Sequence, residues 1–234
     1  MVRLLVHVEG QTEETFVREV LDAHLRGFGY TSVTARLLGN ALQRDRRGGT
    51  RHWPGVRDEI VRHLKEDRTA LATTMVDYYG LPKDGPGAWP GRAEAPALTF
   101  DRRADCVEQE LLEDVFAAMG PDFDPRRFIP YVVMHEFEGL LFSDPVRFGT
   151  SIGKPELAPQ LQSIRNQFTT PEEINDSPDT APSKRVLALM PGYEKPLYGV
   201  LAVIDLGIQV IRRECPLFGN WITRLEKWPQ LLTQ

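Results

Sequence analysis

An α/β fold built on a parallel-dominated sheet, with helices on both faces and a helical extension at the C-terminus, is what this sequence predicts. Three observations carry the expectation. The chain opens on a strand, a Glu-Gly turn and a helix in that order. Two later runs, 69–76 and 128–134, are β-prone and nearly continuous in apolar character, as expected of strands buried on both faces. Stretches of helical periodicity separate these runs.

The elements follow in order. Residues 2–8 form the first strand, and Glu9-Gly10 breaks it. Phe16, Val17, Val20, Leu21 and Leu25 then mark one face of a helix. Thr12 suits its N-cap, Glu13 and Glu14 suit the positive end of its dipole, and Gly27 and Gly29 suit its stop. A second strand is expected over 30–38, where Val33, Ala35 and Leu37 alternate with polar neighbours. Residues 39–54 read as a loop and 56–64 as a helix, after which the strand over 69–76 runs into Asp77.

The stretch 78–96 holds four prolines and four glycines and reads as irregular. A helix over 104–119 stops at Gly120-Pro121, the strand over 128–134 leads into His135-Glu136-Phe137-Glu138, and 149–185 reads as weakly structured apart from a helix near 155–165. Two helices are expected over 200–232. The whole is predicted to be one domain over 1–234, with its core in about 1–148 and a loop and helical extension over about 149–234.

The 234 residues are 41% hydrophobic and 26% charged, which allows a real core. The net charge of −5 argues against a uniformly basic nucleic-acid-binding surface, though not against a local basic strip. Cys106 and Cys215 are far apart and have no metal-ligand spacing, which argues against a thiolate zinc site and a disulfide framework. The opening apolar run is too short for a secretory signal, and no stretch approaches the ~18 apolar residues of a membrane span. A cytoplasmic protein without membrane contact is therefore expected.

The informative pattern is positional. Three predicted strands end in acids: Val8 runs into Glu9, Val76 into Asp77, and Met134-His135 into Glu136. In an open parallel sheet, ligands bind beyond the carboxyl ends of the strands, so these carboxylates converge on one volume. Converging carboxylates repel unless protonated or bridged, and oxygen-only ligands favour Mg²⁺ or Mn²⁺ over zinc. Taken singly, each acid has a plainer role: Glu9 as a cap or surface charge, Asp77 as the start of an Asx-turn, Glu138 in a surface ion pair.

Of the cations, Lys184 and Arg185 are the first choice to face a phosphate and Lys195 the alternative, against a role as solvated loop cations. His135 reads as a partner of a carboxylate or as a structural residue. Arg44, Arg46, Arg47, Arg51 and Arg57, with His52 and Trp53 among them, suit a phosphate backbone and a stacked base; a solvated loop is the equal competitor. Tyr78-Tyr79 suits base stacking, or packing beneath the proline-rich loop.

The run Val8-Glu9-Gly10-Gln11-Thr12-Glu13 resembles the motif that opens Toprim domains of the overcoming-lysogenization-defect nuclease kind. Together with 76–82, 135–142 and 181–185, it resembles the Toprim-like domain-of-unknown-function family 4276 across nearly the whole chain. The resemblance implies a Toprim fold, a compact parallel sheet sandwiched by helices. It also implies Mg²⁺- or Mn²⁺-dependent phosphodiester chemistry on DNA or RNA, and a phage-defence setting with a partner ATPase or other defence protein.

Carried onto this chain, Glu9 matches the first-strand acid and Asp77 the first acid of the Asp-x-Asp motif. Tyr79 stands at the second acid, so Glu136 or Glu138 has to complete the metal site. The predicted function is a divalent-metal-dependent nuclease with Glu9, Asp77 and Lys184 catalytic and with Glu9, Asp77, Glu136 and Glu138 on the metal. Arg44, Arg46, Arg47, Arg51 and Arg185 are predicted to hold nucleic acid. The competing reading is a catalytically degenerate Toprim-like module that binds nucleic acid or a partner protein.

Overall fold

Leu4, Val6 and Val8 project from one face of the first strand, β1 (Val2–Val8), and are fully buried, so this strand lies inside the sheet. The structure is a computed structural model, which describes residues 2–38, 52–174, 177 and 179–231. Among these, β1 pairs in parallel with β2 (Tyr30–Leu37) on one side and β3 (Ala70–Asp77) on the other. Two short strands, β4 (Phe128–Ile129) and β5 (Val132–Val133), both pair in parallel with β3. The order β2-β1-β3-β4, with β5 also on β3, makes a five-stranded sheet in which every pair is parallel.

Helices cover both faces, as the sequence predicts. The first helical segment runs as α1 (Gln11–Phe16), a π-type stretch Val17–Leu21 and α2 (Asp22–Arg26). On the opposite face lie α3 (Trp53–Glu66) and α4 (Phe100–Met119), whose Ile60, Leu64, Val107 and Leu111 pack with Ala72 and Val76 of β3. After the sheet come α5 (Phe137–Leu141), α6 (Pro145–Ser151), α7 (Ala158–Arg165) and α8 (Pro182–Leu189). The chain closes with α9 (Val200–Glu214), broken at Gly207 where φ is +70°, and α10 (Pro216–Leu231). Residues of α9 and α10 share one apolar core with β1, Phe16 and Phe137. No helix among the described residues is long and apolar enough to cross a membrane.

Three expectations are corrected. The strand expected over 128–134 is split, because Pro130 has no N–H for the ladder. Side chains of β3 bridge the break. The Thr74 hydroxyl donates to the Tyr131 carbonyl at 2.9 Å and accepts from the Tyr131 N–H at 2.9 Å, and the Thr73 hydroxyl donates to the Ile129 carbonyl.

The stretch 149–185 is more regular than its composition suggests. Glu172, nearly fully buried, accepts from the N–H groups of Leu217 and Phe218, at 3.0 and 2.8 Å, and so satisfies the start of α10. Trp53 and Pro54 belong to α3 rather than a loop. The indole is buried against Trp89 and donates to Asp114 at 2.7 Å.

Thr74→Val keeps the shape of the side chain and removes both hydroxyl bonds to the backbone of Tyr131, leaving its buried N–H without that acceptor. Urea unfolding should show a loss of about 1–3 kcal/mol. An unchanged midpoint would mean the ladder closes without the hydroxyl.

Candidate carboxylate and metal site

The carboxyl ends of β1 and β3 lie side by side, and the first turns of three helices come up to them. Glu9 follows β1 directly, and its Oε1 accepts the backbone N–H of Asp77 at 3.2 Å. Asp77 is the last residue of β3, and its Oδ1 accepts the N–H of Phe137, the first residue of α5, at 2.9 Å. Glu136, just before that helix and buried, accepts the N–H of Ser183 in the first turn of α8 at 3.0 Å. Each bond places a carboxylate where a helix start or strand end offers an N–H that the ladder does not use.

Glu138, on α5, is 1% exposed. Its Oε2 accepts from Lys195 Nζ at 2.8 Å, while its Oε1 is buried with no partner. Lys195 begins a short π-type turn, Lys195–Gly199, that leads into α9.

Glu13 completes the group, and sequence reasoning missed it by reading it as a dipole partner at the start of α1. It is buried, and Gly10 makes room for it: a Cβ there would stand 3.0 Å from Glu13 Oε2. The signal was its spacing, four residues after Glu9 and in the first turn of the next helix, which returns the side chain to the strand end.

The charges act on one another. Burial, and then the Glu138 charge, raise the Glu13 carboxyl to about 7, against the backbone N–H groups of Glu13 and Gly10 and the charge of Lys195. Asp77 is raised well above the ordinary carboxylate range by burial and by Glu13, Glu9 and Glu138, with Lys195 opposing. Burial raises Glu138 as well, and Lys195 limits the rise. Desolvation works against the Lys195 ammonium, yet Glu138, Asp77 and Glu136 hold its pKa above the ordinary lysine value. Tyr193, two residues before Lys195, is buried with an unpartnered hydroxyl, and burial, Glu138 and Glu136 raise its pKa.

The other predicted residues fall as follows. Lys184 is exposed on α8 and makes no ion pair with these acids; Lys195 is the cation that does. Arg185 lies on α8, where its Nε donates to the Thr180 carbonyl at 2.8 Å and its guanidinium sits over the Phe168 ring. Arg44, Arg46, Arg47 and Arg51 lie outside the described residues. Arg57 is paired with Asp58 and Asp114 on the α3–α4 side. The Nδ1 of His135 bonds the Ile174 carbonyl at 2.8 Å. Tyr78 is buried beneath Arg92, whose guanidinium stands 3.7 Å from the ring centre, so it packs under the loop; Tyr79 is exposed.

Among the described residues no three acid, histidine or cysteine side chains form a ready ligand shell. The donor set nevertheless fits a hard divalent cation. It is all oxygen, it includes the orphaned Oε1 of Glu138, and Mg²⁺ keeps several of its waters, so few direct ligands are needed.

A parallel sheet with helices on both faces and acids gathered at its carboxyl edge defines the class. Residues 8–226 of the 234 match the family described as "Domain of unknown function (DUF4276)", and the chain belongs to that family. A solved structure of the C-terminal region of the Xanthomonas campestris pv. campestris OLD protein is similar at a TM-score of 0.43 and 17% identity, over 98% of this chain and 97% of that one. No curated protein matches the sequence.

The Glu13 carboxyl has an ordinary pKa of 4.5 and a folded value of about 7, so the folded protein binds this proton more tightly than the unfolded chain. The stability it contributes is full below 4.5 and is lost as pH rises through about 7. Glu13→Gln abolishes that loss. In metal-free buffer the variant should gain on the wild type by on the order of 1–3 kcal/mol between about pH 5 and about pH 8. A pH-independent difference in urea unfolding would mean that Glu13 titrates normally.

Proposed function

We propose that the chain is a divalent-cation-dependent enzyme that cleaves phosphodiester bonds in nucleic acid, in the manner of Toprim nucleases. The observation that carries this reading is that Glu9, Asp77 and Glu136 are held by backbone N–H groups at strand ends and helix starts, in electrostatic contact with one another or with Glu13 and Glu138, and that the Glu138 Oε1 is buried and unpartnered. Lys195 offsets only part of the negative charge, and a divalent cation is the group that would offset the rest. Asp77, Glu9 and Glu138 are the residues to hold Mg²⁺ or Mn²⁺, with Glu136 and Glu13 beside them. When bound, the ion polarises a phosphate and lowers the pKa of a coordinated water. Glu9 serves as ligand or as the base that takes the proton of that water. Lys195 supplies fixed positive charge for the phosphate, with Lys184 and Arg185 on α8 further out.

The sequence resemblance adds a bacterial or phage-defence setting, and a partner ATPase or other defence protein and a cytoplasmic location belong to the same proposal. Extension of the substrate along Arg44, Arg46, Arg47 and Arg51 belongs to the same proposal. A degenerate module that binds without cleaving is the second reading, favoured by Tyr79 in place of an acid and by the Lys195–Glu138 pair inside the cluster.

Labelled single- and double-stranded DNA and RNA, incubated with Mg²⁺ or Mn²⁺, separate the two. The enzyme reading expects cleavage that Glu9→Gln and Asp77→Asn each slow roughly 10²-fold or more, with unchanged circular dichroism. Full cleavage by Glu9→Gln defeats the assignment, and binding without cleavage of any substrate favours the degenerate module.

The arginine strip has its own test. Replacing Arg46, Arg47 and Arg51 together should weaken duplex binding and flatten its salt dependence by about 0.9 in log–log slope per lost phosphate contact. An unchanged slope returns the strip to a solvated loop.

A further inference from the structure

We propose that Tyr193 is a ligand-binding residue of the carboxylate site, and that its hydroxyl donates to an oxygen brought by the ligand: a water of the cation or an oxygen of the phosphate. The inference rests on the metal-dependent reading above and adds a residue to it. Two independent features of the same spot support it, an unmet hydrogen-bond donor and a space kept open by a glycine.

Tyr193 is 6% exposed, and its hydroxyl has no hydrogen-bond partner among the described residues. Buried tyrosine hydroxyls ordinarily find a partner, and an unmet one destabilises the fold. The ring is held in place. It belongs to the apolar core shared with β1 and stacks on Tyr198, with centroids 5.8 Å apart and planes at 23°. The backbone N–H of Tyr193 donates to the Met190 carbonyl at 3.0 Å, which fixes the chain on that side. The charges of Glu138 and Glu136 act on the hydroxyl, so it stands within electrostatic reach of the acids.

Gly199 closes the turn that Lys195 opens, and its φ of −63° and ψ of −39° are ordinary right-handed helical values. Its backbone therefore does not call for glycine, and alanine is the better helix former at such a position. Space is the reason that remains. A Cβ here would stand 3.3 Å from both Tyr193 Oη and the methyl of Thr12. The glycine thus keeps the hydroxyl uncovered between the Lys195 turn and the start of α1. An unmet donor on a fixed ring, beside a residue without a side chain, weakens the free protein and favours the bound one. Glu138 Oε1, the other buried and unpartnered oxygen of this neighbourhood, has the same need for a ligand atom.

The test reads stability and binding on the full chain and its Tyr193→Phe and Gly199→Ala variants. Tyr193→Phe removes only the hydroxyl, so in metal-free urea unfolding its midpoint should equal or exceed that of the wild type. Calorimetry then follows Mn²⁺ alone, and fluorescence anisotropy follows a labelled DNA oligonucleotide with Ca²⁺ in place of Mg²⁺. If the oxygen is a water of the cation, both variants bind Mn²⁺ about tenfold more weakly, the effect of one hydrogen bond. If it belongs to the phosphate, Mn²⁺ binding is unchanged and oligonucleotide binding weakens by that factor. A lower urea midpoint for Tyr193→Phe, or variants that bind each probe as the wild type does, overturns the proposal. A wild type that binds neither probe overturns the metal-dependent reading and this inference with it, a result distinct from wild-type binding that the variants leave untouched.

Discussion

Like charges held together away from water raise one another's free energy, and this chain holds Glu13, Asp77 and Glu138 together in that way. Much of the architecture around them compensates. The N–H groups of Asp77, Phe137 and Ser183 each go to a carboxylate, so a strand end and two helix starts are spent on holding negative charge. Lys195 adds a full positive charge from the turn that leads into α9. The fold thus brings the acids together and only partly neutralises them, which is the condition a cation-binding site requires.

The sheet makes that convergence possible. Because β1 and β3 are adjacent and parallel, their acidic ends fall at the same edge without any long connection having to aim them. The split strand brings Val133 opposite Asp77, which sets the start of α5 over the end of β3. The C-terminal helices do more than extend the molecule. Trp221 of α10 stacks on Tyr131 at 4.4 Å and donates to Thr73, so the last helix supports the strand that carries Asp77. Glu172 ties the start of α10 to the polar segment that precedes it.

The class of fold was legible because apolar runs and helical periodicity record burial directly. The strand end at Asp77 and the helix ends over 200–231 came out almost to the residue. The interruption at Pro130 went unread because the apolar run continues through it, and no local pattern announces the threonine hydroxyls, more than fifty residues away, that hold the backbone on either side. The order in 149–185 was hidden for a similar reason, since Glu172 is fixed by N–H groups of a distant helix. At the site, acids at strand ends were visible by position. Glu13 was not, because one side chain suits both a helix dipole and a buried cluster, and only the fold decides between them. Lys195 ranked behind Lys184 because an ion pair with a residue 57 positions away leaves no local trace.

The most direct measurement is the unfolding midpoint of the wild type and of Asp77→Asn in rising Mg²⁺, at about pH 8 and constant ionic strength, with Na⁺ as the control. If the acids form a cation site, wild-type stability rises with the logarithm of Mg²⁺ concentration, reaching about 2.7 kcal/mol at a hundredfold excess over Kd, and Asp77→Asn loses most of the rise. A flat wild-type response, or an equal rise in both proteins, would contradict it.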